Sequence, residues 1–394
     1  MKIKTLSLAV TLSCACCSLY SAATFADDHM DQKALDAEVA KMEQMHQTYE
    51  AELQKMRQMR EKYESNLAKI NDPKLDEGSS GYEALKSAIE RITFFGFFRA
   101  KYDHDDRDEI GIGAGTNNRH FYMDFEAKMK VSDEWEAHFQ SEARKGYTVN
   151  QSWRDDPGSD DQDGTVQRIW VEGHPYDGIG LALGTKWWGL GFQNVPFGHA
   201  ADGIQVDYTF VKDWNAKAFW WRPRQGDLVT MPNGSETTIS GLNVTGHIVD
   251  QLATSLTFAS NENDDDKQMM DRMGAVELQY KPIDDVTLTG SYVWTNADDY
   301  NNSQEYRVDY KATDLNQIGS YSLYARYIDF EKYGDYSHDD EWSSLPADAK
   351  GWIAGVKYVL YKNVVWETFY SQQKKISTDS SSKHLIRTQI DFHF

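Results

Sequence analysis

The sequence predicts an all-β transmembrane barrel of 16 antiparallel strands, preceded by an α-helical coiled coil. From residue 93 onward, apolar and polar side chains alternate with a period of two, as in strands with one apolar face. Many alternating segments have about the 9 to 11 residues that a tilted strand needs to cross a bilayer. Short turns alternate with long polar connections, which is the pattern of a closed up-and-down barrel with two unequal rims.

Composition excludes several other classes of protein. The chain has 394 residues, a formal net charge of -21 and a hydrophobic content of 40%. Its mean hydropathy of -0.67 excludes a helical membrane bundle. The acidic balance opposes nucleic-acid binding, so no nucleic-acid partner is expected. An aromatic content of 13% is too high for a disordered acidic chain. A barrel is compatible with low hydropathy, because only its outward side chains must be apolar.

Residues 1–26 have the pattern of a signal peptide. Lys2 and Lys4 precede an apolar stretch that runs from Leu6 to Leu19, and small residues follow up to Ala26. All the cysteines lie in this segment, namely Cys14, Cys16 and Cys17. The mature chain is therefore expected to lack disulfides and thiolate metal sites.

A coiled coil is predicted for residues 27–72. Residues 31–71 contain neither Pro nor Gly and carry a 4-3 spacing of apolar positions. Polar residues at two seam positions would fix the register and number of helices. The alternative is a solvated amphipathic helix without a partner. Residues 73–90 form a linker with room for a short helix. The predicted seam consists of Leu35, Val39, Met42, His46, Tyr49, Leu53, Met56, Arg60, Tyr63, Leu67 and Ile70.

The barrel is predicted to span residues 91–394. Its strands are expected to start near residues 93, 119, 134, 166, 178, 203, 214, 238, 251, 273, 285, 304, 318, 351, 363 and 384. Tight turns are expected at every second connection, at 132–133, 176–178, 212–213, 249–250, 282–284, 314–316 and 362–363. The even strand number places both ends of the barrel on the short-turn side.

The inward face is predicted to be that of a water-filled channel. Basic side chains outnumber acidic ones on it, which predicts a weak anion preference carried mainly by Arg99, Lys101, Lys186 and Arg387. For any single charge, the alternative is a cross-strand ion pair that only stiffens the wall. The predicted pore-lining residues are Arg99, Lys101, Lys128, Lys130, Arg144, Arg168, Lys186, Arg326 and Arg387.

The connection from Trp187 to Asp202 is predicted to be the constriction loop. It is apolar and rich in Gly, whereas neighbouring connections are acidic. Such a loop is expected to fold into the barrel or, alternatively, to pack at a subunit contact. Its candidate constriction residues are Trp187, Trp188, Phe192, Phe197, His199 and Asp202.

No catalytic residue is predicted, because the sequence lacks the serine-hydrolase elbow, the His-Glu-x-x-His helix and the phosphate loop. No metal site is predicted either, since the stretch from Ser159 to Trp170 only half-matches a calcium loop. Acidic clusters at 103–109, 154–163, 262–267 and 329–348 are expected to form the outer rim, where divalent cations would bridge them.

The chain resembles the general diffusion porins of Gram-negative outer membranes. The resemblance rests on the signal peptide, the alternating strands and the last strand, His384 to Phe394, whose terminal aromatic resembles an outer-membrane assembly signal. The helix ahead of the barrel is similar to that of coiled-coil-bearing trimeric porins of the DcaP type. The resemblance implies a homotrimer in the outer membrane, in contact with lipid and lipopolysaccharide, with the coiled coil in the periplasm. It also implies passive diffusion of small hydrophilic solutes and an inward loop after strand five.

Two other functions remain open at this point. A saccharide- or carboxylate-specific channel is suggested by Trp187, Trp188, Trp221 and Phe197, whose rings would offer stacking surfaces to a sugar. A structural tether would use the coiled coil to dock on cell-wall material and the barrel mainly as an anchor.

Overall fold

The computed structural model describes residues 91–112, 119–146, 163–211, 213–223, 238–262 and 270–394, together with isolated helical positions ahead of the barrel at 54, 55, 57, 58, 61 and 89. The predicted signal peptide and nearly all of the predicted coiled coil and linker lie outside these residues. The chain divides into a unit of residues 1–86 and a second unit of residues 87–394, which contains the barrel.

The barrel consists of sixteen antiparallel strands, as the alternation predicts. A short 3-10 helix, Arg107–Ile110, follows the first strand. The strands are β1 (Ile92–Asp105), β2 (His120–Lys130), β3 (Trp135–Gly146), β4 (Asp163–Tyr176), β5 (Ile179–Leu190), β6 (Phe197–Val211), β7 (Trp214–Pro223), β8 (Ile239–Val249), β9 (Leu252–Asn261), β10 (Arg272–Ile283), β11 (Val286–Thr295), β12 (Asn302–Tyr310), β13 (Tyr321–Phe330), β14 (Ala349–Tyr361), β15 (Val364–Lys375) and β16 (Lys383–His393).

The sheet closes through pairing of β1 with β16, so each strand has two hydrogen-bonded neighbours. At the seam, Gly96 N donates to Phe394 O at 3.2 Å and Phe394 N donates to Gly96 O at 3.1 Å. Closure pairs the backbone groups that an open sheet would leave at its edges, which is the requirement for crossing hydrocarbon with strands.

Side chains alternate between the two faces of the wall. Large apolar side chains on the outer face are exposed, for example Phe94 (57%) and Phe258 (60%), whereas inward neighbours such as Ser255 and Thr257 are buried. The outer face thus has the apolar character that lipid contact requires. Within the described residues, no helix is long and apolar enough to cross a membrane.

Two predicted connections differ from the structure. The tight turn expected at 314–316 lies inside a longer connection, residues 311–320, in which Asp314 N and Ser320 Oγ hydrogen-bond at 2.8 Å. The long loop expected from Trp187 to Asp202 is wrong in its boundaries, because β5 runs to Leu190 and β6 starts at Phe197. Cross-strand pairing from Trp187 with Ala200 to Leu190 with Phe197 extends this hairpin. Only residues 191–196 connect the two strands.

Candidate pore constriction

One segment that folds into the barrel is the connection between β13 and β14, residues 331–348, here called the inner loop. Its side chains and carbonyls contact inward residues of β1, β2, β3, β12, β13, β15 and β16, as well as the β5–β6 hairpin. Contacts on so many strands mean that the inner loop crosses the lumen and narrows it. The inner loop shares the lumen with the tip of the β5–β6 hairpin, where Phe192 N and Gln193 Nε2 donate to Glu277 and Ser291 on the inward faces of β10 and β11.

Trp342 is the part of the inner loop that lies against the wall formed by β1, β2 and β3. Its ring meets the Tyr122 ring edge-on at a centroid distance of 4.4 Å and lies 5.7 Å from the His120 ring. Arg99 and Arg144 place their guanidinium carbons 5.4 and 5.0 Å from its ring centre. Cations this close to an indole face are attracted by its quadrupole.

Two arginines bind the backbone of the inner loop near Trp342. Arg387 on β16 donates to the carbonyls of Glu341 and Trp342 at 2.9 and 2.8 Å. Arg107 donates to the Ser343 carbonyl at 2.7 Å and to the Ser344 carbonyl at 3.4 Å. Both guanidinium groups therefore satisfy carbonyls that would otherwise be unpaired away from bulk water.

Carboxylates from β1 orient these arginines. Asp103 accepts two hydrogen bonds from Arg387, at 2.8 and 2.9 Å, and Asp105 accepts two from Arg107, at 2.9 and 2.8 Å. These are bidentate pairs, which combine charge with fixed geometry. Because both arginines are almost completely buried, each carboxylate also provides the opposite charge that a buried guanidinium needs.

The backbone at this point has an unusual conformation. Glu341, Trp342 and Ser343 have φ angles of 42°, 63° and 65°, all in the left-handed region. Non-glycine residues adopt this region at a cost of about 1–2 kcal/mol each, and strain of this kind persists where the surroundings enforce it. Here the run turns successive carbonyls toward Arg387 and Arg107, whose hydrogen bonds offset the strain.

His338 and Asp335 form a buried pair at the base of the inner loop. His338 Nδ1 lies 3.0 Å from both Asp335 oxygens, and its Nε2 lies 2.7 Å from the Leu345 carbonyl oxygen. Burial alone would lower the pKa of His338, but the Asp335 carboxylate and the Leu345 carbonyl outweigh it and raise the pKa to about 9. The imidazolium is thus held in place by acceptors on both ring nitrogens.

Two further acids of the inner loop differ in their electrostatic surroundings. Burial raises the pKa of Asp339 to about 6, and the nearby Glu341 carboxylate adds to this effect. Burial would also raise the pKa of Glu341, but the Arg326 guanidinium, 2.9 Å away, holds it below its usual value. Glu341 therefore stays ionised as the partner of a wall arginine.

The other side of the inner loop contacts the β5–β6 hairpin and neighbouring strands. Gly198 N donates to the Ser337 carbonyl at 2.8 Å, and Asp339 N donates to the Asn194 carbonyl at 3.3 Å. Tyr336 donates its hydroxyl to the Asp271 carbonyl at 2.9 Å. The inner loop is thus bound at both sides of the lumen.

An aromatic cluster fills the inner face beside this contact. Trp188 and Trp221 stack with centroids 5.2 Å apart, Phe197 lies 5.3 Å from Trp221, and Phe219 lies 4.3 Å from it. Trp188 is 2% exposed, whereas Trp221 and Phe197 are fully buried. The proposed sugar-stacking surface is therefore wrong for these three rings, because they stack on one another. Trp187 lies on the outer face of β5.

Of the other residues of the predicted constriction loop, Phe192 and His199 are on the inner side of the barrel and Asp202 is on the outer side. Phe192 lies in the 191–196 connection, and its N–H donates to Glu277 Oε2 at 2.9 Å. His199 lies on β6 facing inward, while Asp202 is exposed on the outer face, where it accepts a hydrogen bond from Thr185 at 2.5 Å.

The predicted pore-lining bases share one face, but most are ion-paired. Arg99 pairs with Asp391, and Lys101 and Arg387 both pair with Asp103. Lys130 lies at the turn after β2 and pairs with Asp133 there. Arg144 lies beneath Trp342. The other pairs are Lys128 with Glu136, Arg168 with Glu142, Lys186 with Glu172, and Arg326 with Glu305 and Glu341.

Comparisons with known proteins agree with the architecture. The sequence matches no protein-family model and no curated protein. Among solved structures, the chain is similar to two substituted variants of the porin of Rhodopseudomonas blastica, each with 12% identity and a TM-score of 0.50, over 77% of this chain and 100% of theirs. The fold is that of a porin. At this identity the likeness supports the porin fold and no finer assignment.

Within this porin fold, the charge of the lumen differs from the predicted one. Asp103, Asp105 and Glu305 also lie on the inward face and are buried there. The inner loop adds Asp335, Asp339, Asp340 and Glu341 to the lumen, against Lys332 and the imidazolium of His338. With these acids counted, and Arg107 as the partner of Asp105, the described inward residues no longer show the basic excess that predicts an anion preference.

The predicted acidic rim also changes. In the clusters 103–109 and 329–348, Asp103, Asp105, Asp335 and Glu341 are used in inward ion pairs, so they are not free to bind cations at an outer rim. Most of the clusters 154–163 and 262–267 lies outside the described residues. Cation bridging there stays a prediction.

Sequence reasoning missed the inner loop, because its charges are typical of a solvated rim. Its one available signal was the apolar pattern of Tyr333, Tyr336, Trp342 and Leu345 within an otherwise acidic stretch. It also missed the only cluster of at least three metal-ligand side chains in the described part of the chain: Glu136, His138 and Glu172, whose donor atoms lie within 4.8 Å of one another.

Proposed function

We propose that this chain is an outer-membrane porin that forms a water-filled channel for passive diffusion of small hydrophilic solutes and ions. A single observation supports this most directly. A closed barrel with an exposed apolar outer face encloses a charged inner face, and the inner loop lies across its lumen. Rings of charged side chains in a constricted bore are a usual means of selecting solutes by size and charge.

The experiment is reconstitution of the purified protein into planar bilayers and liposomes. Discrete open steps in conductance and swelling of liposomes in small sugars are expected. Their absence from protein that shows the heat-modifiable mobility of a folded barrel would contradict the proposal and favour the tether.

The location follows from the same fold. An outer face of this apolar character fits lipid and lipopolysaccharide, and the short-turn rim is expected to face the periplasm. Fractionation of outer from inner membranes tests the location. Protease added to intact cells should spare the short turns and reach only the opposite rim.

The oligomer is a further part of this proposal. We propose a homotrimer of the coiled-coil-bearing type, in which the helices of residues 27–72 associate in the periplasm. The 4-3 seam supports it, and the barrel unit of residues 87–394 has its own closed sheet. Removal of residues 27–80 should leave a folded barrel and reduce cross-linking into trimers. Failure of the truncated chain to form a barrel would show that the two parts fold together.

A further inference from the structure

His138 is fixed in orientation on the inner face of β3. Its ring stacks on the Trp170 ring with centroids 4.6 Å apart and planes 13° from parallel. Its Nδ1 lies 2.9 Å from Glu126 Oε1. A hydrogen bond from Nδ1–H to a carboxylate selects the tautomer whose Nε2 carries a lone pair. The second ring nitrogen is therefore available as a ligand.

The Nε2 atom of His138 is buried and has no hydrogen-bond partner. The side chain is 4% exposed, and Nε2 points between two carboxylates, at 3.4 Å from Glu172 Oε1 and 3.9 Å from Glu136 Oε2. A buried polar atom left unpaired costs about 1–3 kcal/mol. The arrangement thus places an unpaired nitrogen lone pair beside two carboxylate oxygens, all three of which can bind a metal ion.

The spacing of the three atoms fits a metal ion. With bonds of about 2.0–2.2 Å to nitrogen and oxygen, a tetrahedral ion holds two ligand atoms roughly 3.4 Å apart. The distances from Nε2, 3.4 and 3.9 Å, are close to this value. Three protein ligands would leave one position for water or solute from the lumen.

The surrounding residues also fit a metal ligand set. The Nδ1 contact of His138 with Glu126 is the carboxylate–histidine arrangement that orients metal-bound imidazoles. The second oxygen of Glu172 accepts hydrogen bonds from Lys186 and from Trp170 Nε1, which leaves Oε1 for the ion. His138 and Glu172 are therefore held by neighbours, whereas Glu136 Oε2 lies 3.2 Å from the Lys128 ammonium, which a bound ion would displace.

We propose that Glu136, His138 and Glu172 bind a divalent transition-metal cation of the Zn²⁺ type on the inner wall of the barrel. Imidazole nitrogen with two carboxylates suits such ions better than Ca²⁺, which prefers six or more oxygens, typically about 6–8. The site lies toward the short-turn rim, since Glu136 is next to the start of β3 and Glu172 is near the end of β4. A bound ion would add positive charge to the channel wall.

The test uses the full-length protein in detergent with Co²⁺ as the spectroscopic probe and Zn²⁺ as its competitor. We expect one Co²⁺ per chain with the intense visible absorption of a tetrahedral site, displaced by Zn²⁺ but not by the same concentration of Ca²⁺. H138Q and E172Q should each weaken binding at least tenfold. The matched control is H247Q, because His247 is exposed on β8, outside this cluster.

Heat-modifiable mobility shows whether each variant still forms the barrel, and E136Q provides a second probe at a half-exposed ligand. The proposal is overturned if the wild-type protein gives no tetrahedral Co²⁺ spectrum, if folded H138Q binds like the wild type, or if Ca²⁺ competes as well as Zn²⁺. Equal competition by Ca²⁺ would assign the binding to acidic loops. A missing tetrahedral Co²⁺ spectrum would mean that His138 Nε2 holds a proton and not a metal ion.

Discussion

At the scale of single residues, the constriction depends on a few buried charges. Arg387 and Arg107 each connect a β1 carboxylate to two carbonyls of the inner loop. A pair of this kind contributes little compared with an apolar substitute, but loss of one partner leaves the other charge buried alone. The arginines are thus most important as geometric connections between the wall and the inner loop.

Replacement of Arg387 should release this part of the inner loop. R387A leaves Asp103 buried without its main partner and frees two carbonyls, so docking of the loop should weaken by about 3–5 kcal/mol. We expect larger single-channel conductance and new protease cleavage near residue 342, with the barrel still heat-modifiable. R272K is the control, because Arg272 is exposed. Unchanged conductance in R387A would show that this arginine does not hold the loop.

Gly191 allows the β5–β6 hairpin to approach Glu277. Its φ is 82°, and an added Cβ would lie 1.4 Å from Glu277 Oε2. Glu277 cannot easily withdraw, because it accepts hydrogen bonds from Ser291 and Phe192 N. Gly319 has a similar φ of 85°, but an added Cβ there would meet only Tyr358 Oη, at 3.7 Å.

Comparison of G191A with G319A separates close approach from backbone strain. Both variants bear the cost of about 1–2 kcal/mol for a left-handed alanine. G191A alone must also displace a buried carboxylate, so its barrel should unfold at a clearly lower temperature in a heat-modifiability series. Equal unfolding temperatures would mean that the Glu277 contact is unimportant for stability.

At the scale of elements, two segments enter the lumen, and the sequence predicted this only for the connection after β5. The apolar segment after β5 mostly extends a hairpin whose Trp188, Leu190 and Phe197 are buried on the inner face. The acidic connection after β13 crosses the lumen, because Glu341 pairs with Arg326, its carbonyls accept from Arg107 and Arg387, and the Trp342 ring packs on Tyr122. Local composition thus identified a hairpin whose tip contacts Glu277 and Ser291 in the lumen, but it did not identify the inner loop.

Docking of the inner loop should depend on pH through His338. Its pKa is about 9 in the docked loop and about 6.5 in a free one, so protonation favours docking. This stabilisation is fully present below pH 6.5 and is lost as pH rises through 9. The raised pKa of Asp339, about 6, acts in the same direction at lower pH.

Conductance and protease cleavage within 331–348 should therefore increase between pH 7 and 10. In H338N, which cannot hold the extra proton, this increase should largely disappear, and cleavage should already be high at pH 7. An identical pH profile in H338N and in the wild type would assign the effect to another group.

At the scale of the whole molecule, barrel closure and the field in the bore decide transport. Because β1 pairs with β16, any aqueous route past the described strands runs through the lumen. Charges within this bore act at short range, whereas outer charges are screened over a Debye length of about 8 Å at physiological salt. The acids of the inner loop should therefore affect permeant ions more than acids of the rim.

We expect a weak cation preference in the zero-current potential across a salt gradient. D339N/D340N should shift the potential toward anions, because both charges lie on the inner loop. Asparagine keeps the acceptor oxygens that receive the N–H groups of Glu341 and Trp342. D298N, on the exposed 296–301 connection, is the control. An anion preference in the wild type would show that wall bases such as Arg144 dominate.

The sequence by itself determined the barrel, because alternation with a period of two and strand length depend on local chemistry and on the bilayer. Strand starts differ from the predicted ones by a few residues, with the largest shift at β6, whose hairpin extends to Phe197. That the side chains of Arg99, Lys101 and Arg387 face inward also follows from the alternation alone.

Only the tertiary structure decided what occupies the lumen. The partners of Arg387, namely Asp103 and the carbonyls of Glu341 and Trp342, are far apart in the chain. Likewise, His138 meets Glu172 only because β3 pairs with β4 in one register. An acidic loop in isolation is most stable in water; it enters the barrel here because the wall supplies opposite charges and apolar surface, which no local pattern encodes.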